Sequence, residues 1–193
     1  MNGPRLRAFA ALAFAGVLGT SSGCAPRAPI GSVHHLDDEY GFRAARFEEQ
    51  LASFEGLEYV RDQKGLACYS KHDDELEVGD ATLGYIHYCF YDERLASVNL
   101  WGSGADTANS LLQEMRREYG RGQPLTTTQG RSKQPVGEIW NGRQVTVVLL
   151  FMQGDSVPQM DDSEVVVTIS SNKLMEKRGP GGPQGPPGSS RAN

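Results

Sequence analysis

Between residues 105 and 119 the apolar positions Ala108, Leu111, Leu112, Met115 and Tyr119 recur every three or four residues, the spacing of one buried helix face. That pattern predicts a helix with Asp106 as its cap and Gly120 as its stop in a left-handed turn. A similar spacing of Ala44, Phe47, Leu51 and Phe54 in "DDEYGFRAARFEEQLASFEG", closed by Gly56, predicts an earlier amphipathic helix. Elsewhere the period falls to two. The stretch "GYIHYCFYDERLASVNLW" holds two strand-like runs around a charged turn. With Asp92, Glu93 and Arg94 as a three-residue loop, Phe90 opposes Ala96, Tyr88 opposes Val98 and Ile86 opposes Leu100. One face is then wholly apolar. A two-residue loop would instead oppose Tyr88 to Ser97 and Ile86 to Asn99, so the first register is the expected one. It sets Tyr85 against Trp101, His87 against Asn99 and Cys89 against Ser97 on a mixed second face.

Shorter patterns complete the plan. "LEYV" and "LACYS" read as strands around the polar turn "RDQKG", and "LACYS" can lie antiparallel beside "YIHYCFY" with Cys68 opposite Cys89 and Tyr69 beside Tyr88. "VGEIWNGRQVTVVLLF" places Asn141 and Gly142, a dipeptide typical of tight hairpins, between two strands, and the continuous "VTVVLLF" predicts a strand covered on both faces. "EVVVTIS" is a further strand and "NKLMEKR" one more helical turn. The polar stretches 121–135 and "QGDSVPQMDDS" read as long connections. This order predicts an α+β domain, an antiparallel sheet of hairpins with helices packed on one face.

Both ends depart from that pattern. Residues 1–23 have the plan of a secretory signal: Arg5 and Arg7, an apolar run over 8–19, then Thr20, Ser21, Ser22 and Gly23. The run is too short for a bilayer core, which needs about 20 residues. Ser22, Gly23 and Cys24 resemble the lipobox of bacterial lipoproteins, with Ser21 where that motif usually has Leu. The resemblance implies that the signal is cut before Cys24 and that Cys24 carries a lipid, anchoring the protein in a membrane. Ala25, where an Asp would hold such a protein at the inner membrane, points to the outer membrane facing the periplasm. Residues 24–36 then form a tether, 37–178 the domain and 179–193, "GPGGPQGPPGSSRAN", a Gly/Pro-rich tail too poor in apolar residues to order as a core element.

Composition narrows the function. The formal net charge is −5, and removing 1–23 leaves 17 basic against 24 acidic residues, a charge of −7. An acidic domain is a poor partner for nucleic acid, whose phosphates require a basic patch. With Cys24 set aside, Cys68 and Cys89 form one disulfide in an oxidising periplasm, the alternative being two buried thiols. His34, His35, His72 and His87 lack metal-ligand spacing, "KHDDELEVGD" lacks the alternation of a calcium loop, and "WGSGADTANS" lacks phosphate-loop spacing. No catalytic motif and no metal or cofactor signature is present. Tyr85, Tyr91 and Trp101 can gather on the second face of the hairpin, with Trp140 elsewhere, and are the candidate ligand-binding residues. The expectation is a non-enzymatic envelope lipoprotein that binds another envelope protein. The alternative is a small-ligand or glycan module using the aromatic face, and a scattered active site is a third reading.

Overall fold

The computed structural model describes residues 31–129, 132–152 and 164–179. Its order is α1 (His34–Glu39), β1 (Gly41–Phe42), β2 (Ala45–Arg46), a 3-10 turn (Leu51–Ser53), β3 (Leu57–Gln63), β4 (Leu66–Lys71), β5 (Glu77–Val78), β6 (Ala81–Thr82), β7 (Tyr85–Tyr91) and β8 (Arg94–Ser103). There follow α2 (Ala105–Tyr119), β9 (Gln123–Gln129), β10 (Ser132–Asn141), β11 (Val145–Met152), β12 (Glu164–Ser171) and α3 (Asn172–Arg178). Eight strands form one sheet in the order β3-β4-β7-β8-β12-β11-β10-β9, all neighbours antiparallel. The α+β class follows directly. β12 closes the sheet by sliding between β8 and β11, the inner edges of two hairpin groups that α2 connects.

One face of this sheet is the core. Ile86, Leu100, Val167 and Leu149 form one cross-strand row, and Tyr88, Val98, Ile169, Val147 and Trp140 the next. α2 lays Ala108, Leu111, Met115 and Tyr119 on these rows, and α1 adds Leu36. Gly120 ends α2 as expected, its N–H donating to the Arg116 carbonyl, but with φ 76° and ψ −167° it is not in the expected left-handed turn. The start differs from expectation. Gly104 occupies the cap position and Asp106 lies in the first turn without a capping hydrogen bond, its charge facing the positive end of the helix dipole. The third helix does not join the other two. Leu174 and Met175 of α3 pack with Leu66, Cys68, Cys89 and Ala96 on the opposite face of the sheet.

Six local expectations give way, most of them to better pairing. The amphipathic helix read from Ala44 to Phe54 is absent: α1 stops at Glu39, Tyr40, Arg43 and Glu48 adopt positive φ, and two short strands intervene. Backbone partners explain it, because the Glu48 N–H donates to the Leu95 carbonyl and the Leu95 N–H to the Glu49 carbonyl, so this segment borders β8. Phe47 still reaches the core. The β7–β8 loop is the two residues Asp92 and Glu93, both at positive φ, yet the long register is as expected from Tyr85↔Trp101 to Cys89↔Ser97. A bulge between Cys89 and Phe90 reconciles the two facts, so Phe90 opposes Leu95 and not Ala96. Ala96 turns to the other face, beside the disulfide. The polar stretch 121–135 is mostly strand, pairing as the β9–β10 hairpin. In the β10–β11 hairpin the reversal sits at Arg143 and Gln144, with the Gly142 N–H donating to the Val145 carbonyl at 2.9 Å. β3 also runs through "RDQ", leaving Lys64 and Gly65 as the turn. On β11, Val145, Val147 and Leu149 are buried while Thr146, Val148 and Leu150 are half-buried, so the second face is only partly covered.

Candidate functional site, the second face of the sheet

The alternation that buries Ile86 and Tyr88 turns Tyr85, His87, Cys89 and Tyr91 to the other side. Three cross-strand rows result. The first runs Tyr85, Trp101, Val166, Leu150; the second His87, Asn99, Thr168, Val148, Ile139; the third Cys89, Ser97, Ser170, Thr146. α3 packs over the third row and the disulfide, through Leu174 and the Thr146 hydroxyl, which donates to Asn172 Oδ1 at 2.7 Å. The first row carries the aromatic cluster. Tyr85 stacks on Trp101 with ring centroids 5.5 Å apart and 27° between planes, and lies 4.7 Å from the His87 ring. The exposed Arg61 side chain, reaching over from β3, holds its guanidinium 5.9 Å from the Trp101 ring centre.

Two nitrogens in this cluster are buried without a hydrogen-bond partner, Trp101 Nε1 and His87 Nδ1. Each costs about 1–3 kcal/mol in that state. The His87 residue is 6% exposed, so its ring sits beneath its neighbours. Beside it the polar groups are satisfied, since the Thr168 hydroxyl donates to Asn99 Oδ1 at 2.8 Å and Asn99 Nδ2 to Cys89 Sγ at 3.3 Å. Burial, aided by the Arg61 charge, pulls the His87 imidazole below its ordinary value. Burial and then the Glu164 carboxylate push the Tyr85 phenol up.

The depressed His87 has a signed consequence. The unfolded chain takes up the proton near pH 6.5 and the folded chain only lower, so the stability that His87 contributes is whole above that pH and drains as the pH falls through it. We expect the melting midpoint to fall between pH 7.5 and 5.5 less steeply in His87→Asn than in the wild type. Identical slopes would contradict the assignment.

Of the three residues singled out by sequence, the structure brings Tyr85 and Trp101 together and leaves Tyr91 apart. Tyr91 lies on the same face but six residues along β7, roughly 20 Å away, against the disulfide cluster under α3. His87 and Arg61 join the site instead. His87 was visible as a second-face residue in the hairpin register, whereas Arg61 depends on a bulge between Tyr59 and Arg61 that no local pattern marks.

Other polar clusters serve the fold. His35 Nε2 lies 3.4 Å from Glu39 and 3.6 Å from Glu118, tying α1 to α2. Glu138, buried on β10, takes a two-pronged contact from Arg116 of α2, which holds its carboxyl below the usual range. A depression of about 350 Å³ lined by Asp38, Glu39, Arg43 and Arg46 is wholly charged, and one of about 150 Å³ lies between Val33, Gln123 and Trp140. Among the described residues no His, Cys, Asp and Glu side chains gather as a metal site. No protein-family model, curated protein or solved structure matches this chain. The reading of function therefore rests on its own residues.

Proposed function

We propose that this protein is an outer-membrane lipoprotein, anchored through Cys24 and facing the periplasm, whose domain is a non-enzymatic envelope accessory that receives another envelope protein on the second sheet face. The observation that carries the docking reading is the first row: a Tyr85–Trp101 stack continuous with Val166 and Leu150, with the buried Trp101 Nε1 still lacking a partner. Aromatic rings with a polar edge are the side chains that dominate protein interfaces. The lipid reading rests on the signal-like segment 1–23 and on "SSGC". The disulfide between Cys68 and Cys89 accords with an oxidising compartment. A glycan-binding module is the second reading, favoured by the stacked Tyr85 and Trp101 rings, which offer a flat face to a sugar.

Fatty-acid probe labelling combined with site-specific photocrosslinking tests both halves. The wild type should take up the probe and Cys24→Ser should not. A crosslinker at Glu164, the exposed neighbour of Tyr85, should give one discrete protein adduct in intact envelopes that Tyr85→Ala abolishes. Equal labelling of wild type and Cys24→Ser sinks the anchor. An adduct indifferent to Tyr85→Ala sinks the docking face, and transfer of the crosslink to glycan favours the second reading.

A further inference from the structure

The Trp101 indole N–H can only donate, and it is buried without an acceptor beside an exposed, stacked Tyr85. An aromatic pair with an unpaired donor shielded beside it, reached once Arg61 moves off Trp101, matches one kind of peptide ligand closely. A polyproline II segment has no internal hydrogen bonds, keeps every carbonyl free as an acceptor, and presents pyrrolidine rings that lie against aromatic faces. Its prior stiffness also lowers the entropy lost on docking.

This chain carries such a segment, and the helix that precedes it packs on this face. Residues 180–188 read "PGGPQGPPG", with Pro180, Pro183, Pro186 and Pro187 and no charged residue. They follow α3, the helix that packs on the second face, and α3 ends beside the β3–β4 turn, where Arg178 donates to the Lys64 carbonyl at 3.1 Å. In the β4–β7 register Leu66 is level with Tyr91 and Lys64 lies two residues further out, eight residue steps from Tyr85, a distance of roughly 26 Å. In polyproline II geometry, residues seven and eight beyond Gly179 can extend about 22–25 Å, which puts the Tyr85–Trp101 stack at the reach of Pro186 and Pro187.

We propose that the Pro/Gly-rich sequence 180–188 is an intramolecular ligand of the second sheet face, laying its prolines on Tyr85 and Trp101 and accepting the Trp101 indole hydrogen bond. The proposal rests on the reading of this face as a docking surface and names its first occupant. Arg61, whose long exposed side chain overlies Trp101, swings aside to admit the segment. Tethering sets the effective concentration of a short linked segment near the millimolar range, enough to occupy a weak site. An external partner must then displace the tail.

The two tryptophans make the test internally controlled. Trp140 is buried in the core with its indole donating to the Gly120 carbonyl at 2.8 Å, whereas Trp101 lies on the second face. The full chain labelled with 15N-tryptophan is compared with a variant ending at Gly179 and with a full-length Pro183→Ala, Pro186→Ala, Pro187→Ala variant. Both variants should move the Trp101 indole resonance upfield and leave that of Trp140 in place. Adding the peptide of residues 179–193 to the truncated protein should restore the Trp101 position, and Tyr85→Ala should weaken that titration by at least about tenfold, as loss of a central aromatic contact does. A Trp101 resonance identical in full and truncated chains overturns the proposal, as does a shift that the peptide cannot reverse. Either result leaves the crosslinking outcome at Glu164 untouched, so the tail and the docking face fail separately.

Discussion

Replacing Asp37 by alanine is expected to cost about 3–4 kcal/mol, as judged from charged hydrogen bonds worth about 1.5–3 kcal/mol and buried unpaired donors costing about 1–3. The Asp37 carboxylate, 7% exposed, accepts from three successive backbone donors: Arg143 N at 2.9 Å, Gln144 N at 2.7 Å and Val145 N at 3.2 Å. Those residues make the β10–β11 reversal, so one side chain from α1 ties the first helix to a hairpin over a hundred residues away. Gly142 is required there by close approach, since a Cβ at this position would come within 2.6 Å of Asp37 Oδ1. Alanine at 37 leaves all three N–H groups unpaired. Arg143 and Gln144 are exposed and can recover water, which is why the cost stays below three full penalties. Asp37→Asn keeps one acceptor oxygen and should lose about half as much. Urea unfolding midpoints decide the matter, and a change under about 1 kcal/mol in Asp37→Ala would refute the clamp.

Asp37 also shows where reading the sequence stops. A helix period was visible from Ala44 to Phe54, but the residues that decided the local fold were Tyr40, Arg43 and Glu48, all at positive φ, and the backbone bonds to Leu95. Those are long-range partners, and tertiary pairing outweighs a weak local propensity. The same holds for Asn141 and Gly142, whose turn preference yields to the Asp37 carboxylate two residues on. By contrast, α2 was legible to within two residues because its apolar stripe and Gly120 stop agree with the packing surface beneath. The β7–β8 register was legible because a slip would have buried Ser97 and Asn99 on the core face. Only the bulge at Cys89/Phe90 escaped, since it preserves the apolar face while changing the loop length. For the site, alternation alone placed Tyr85 and Trp101 on one face. Arg61 and the unpaired indole came from the meeting of β3, β7 and β8, which no single stretch encodes.

Loss of the Cys68–Cys89 bridge is expected to destabilise the domain by about 3 kcal/mol, the chain-entropy value for a loop of some twenty residues. The two cysteines are directly opposed on β4 and β7, with Cα atoms 4.0 Å apart and both side chains fully buried. For a domain of this size that loss lowers the melting midpoint by about 10 °C. Its structural effect should be local. The sulfurs form the floor on which Leu174 of α3 packs, together with Leu66 and Ala96, and Asn99 donates to Cys89 Sγ from the neighbouring strand. A Cys68→Ala, Cys89→Ala protein should therefore exchange the amide protons of α3 faster than those of α2, whose anchors Leu111 and Met115 lie on the other face. The same comparison bears on compartment, because a bridge placed beneath the last helix forms only where thiols are oxidised. Protein made in a reducing cytoplasm should match the double alanine variant in midpoint and in α3 exchange, and protein folded under oxidising conditions should match neither. Equal midpoints for all three samples would leave the bridge without a stabilising role, and freely alkylated thiols in the folded oxidised sample would remove it altogether.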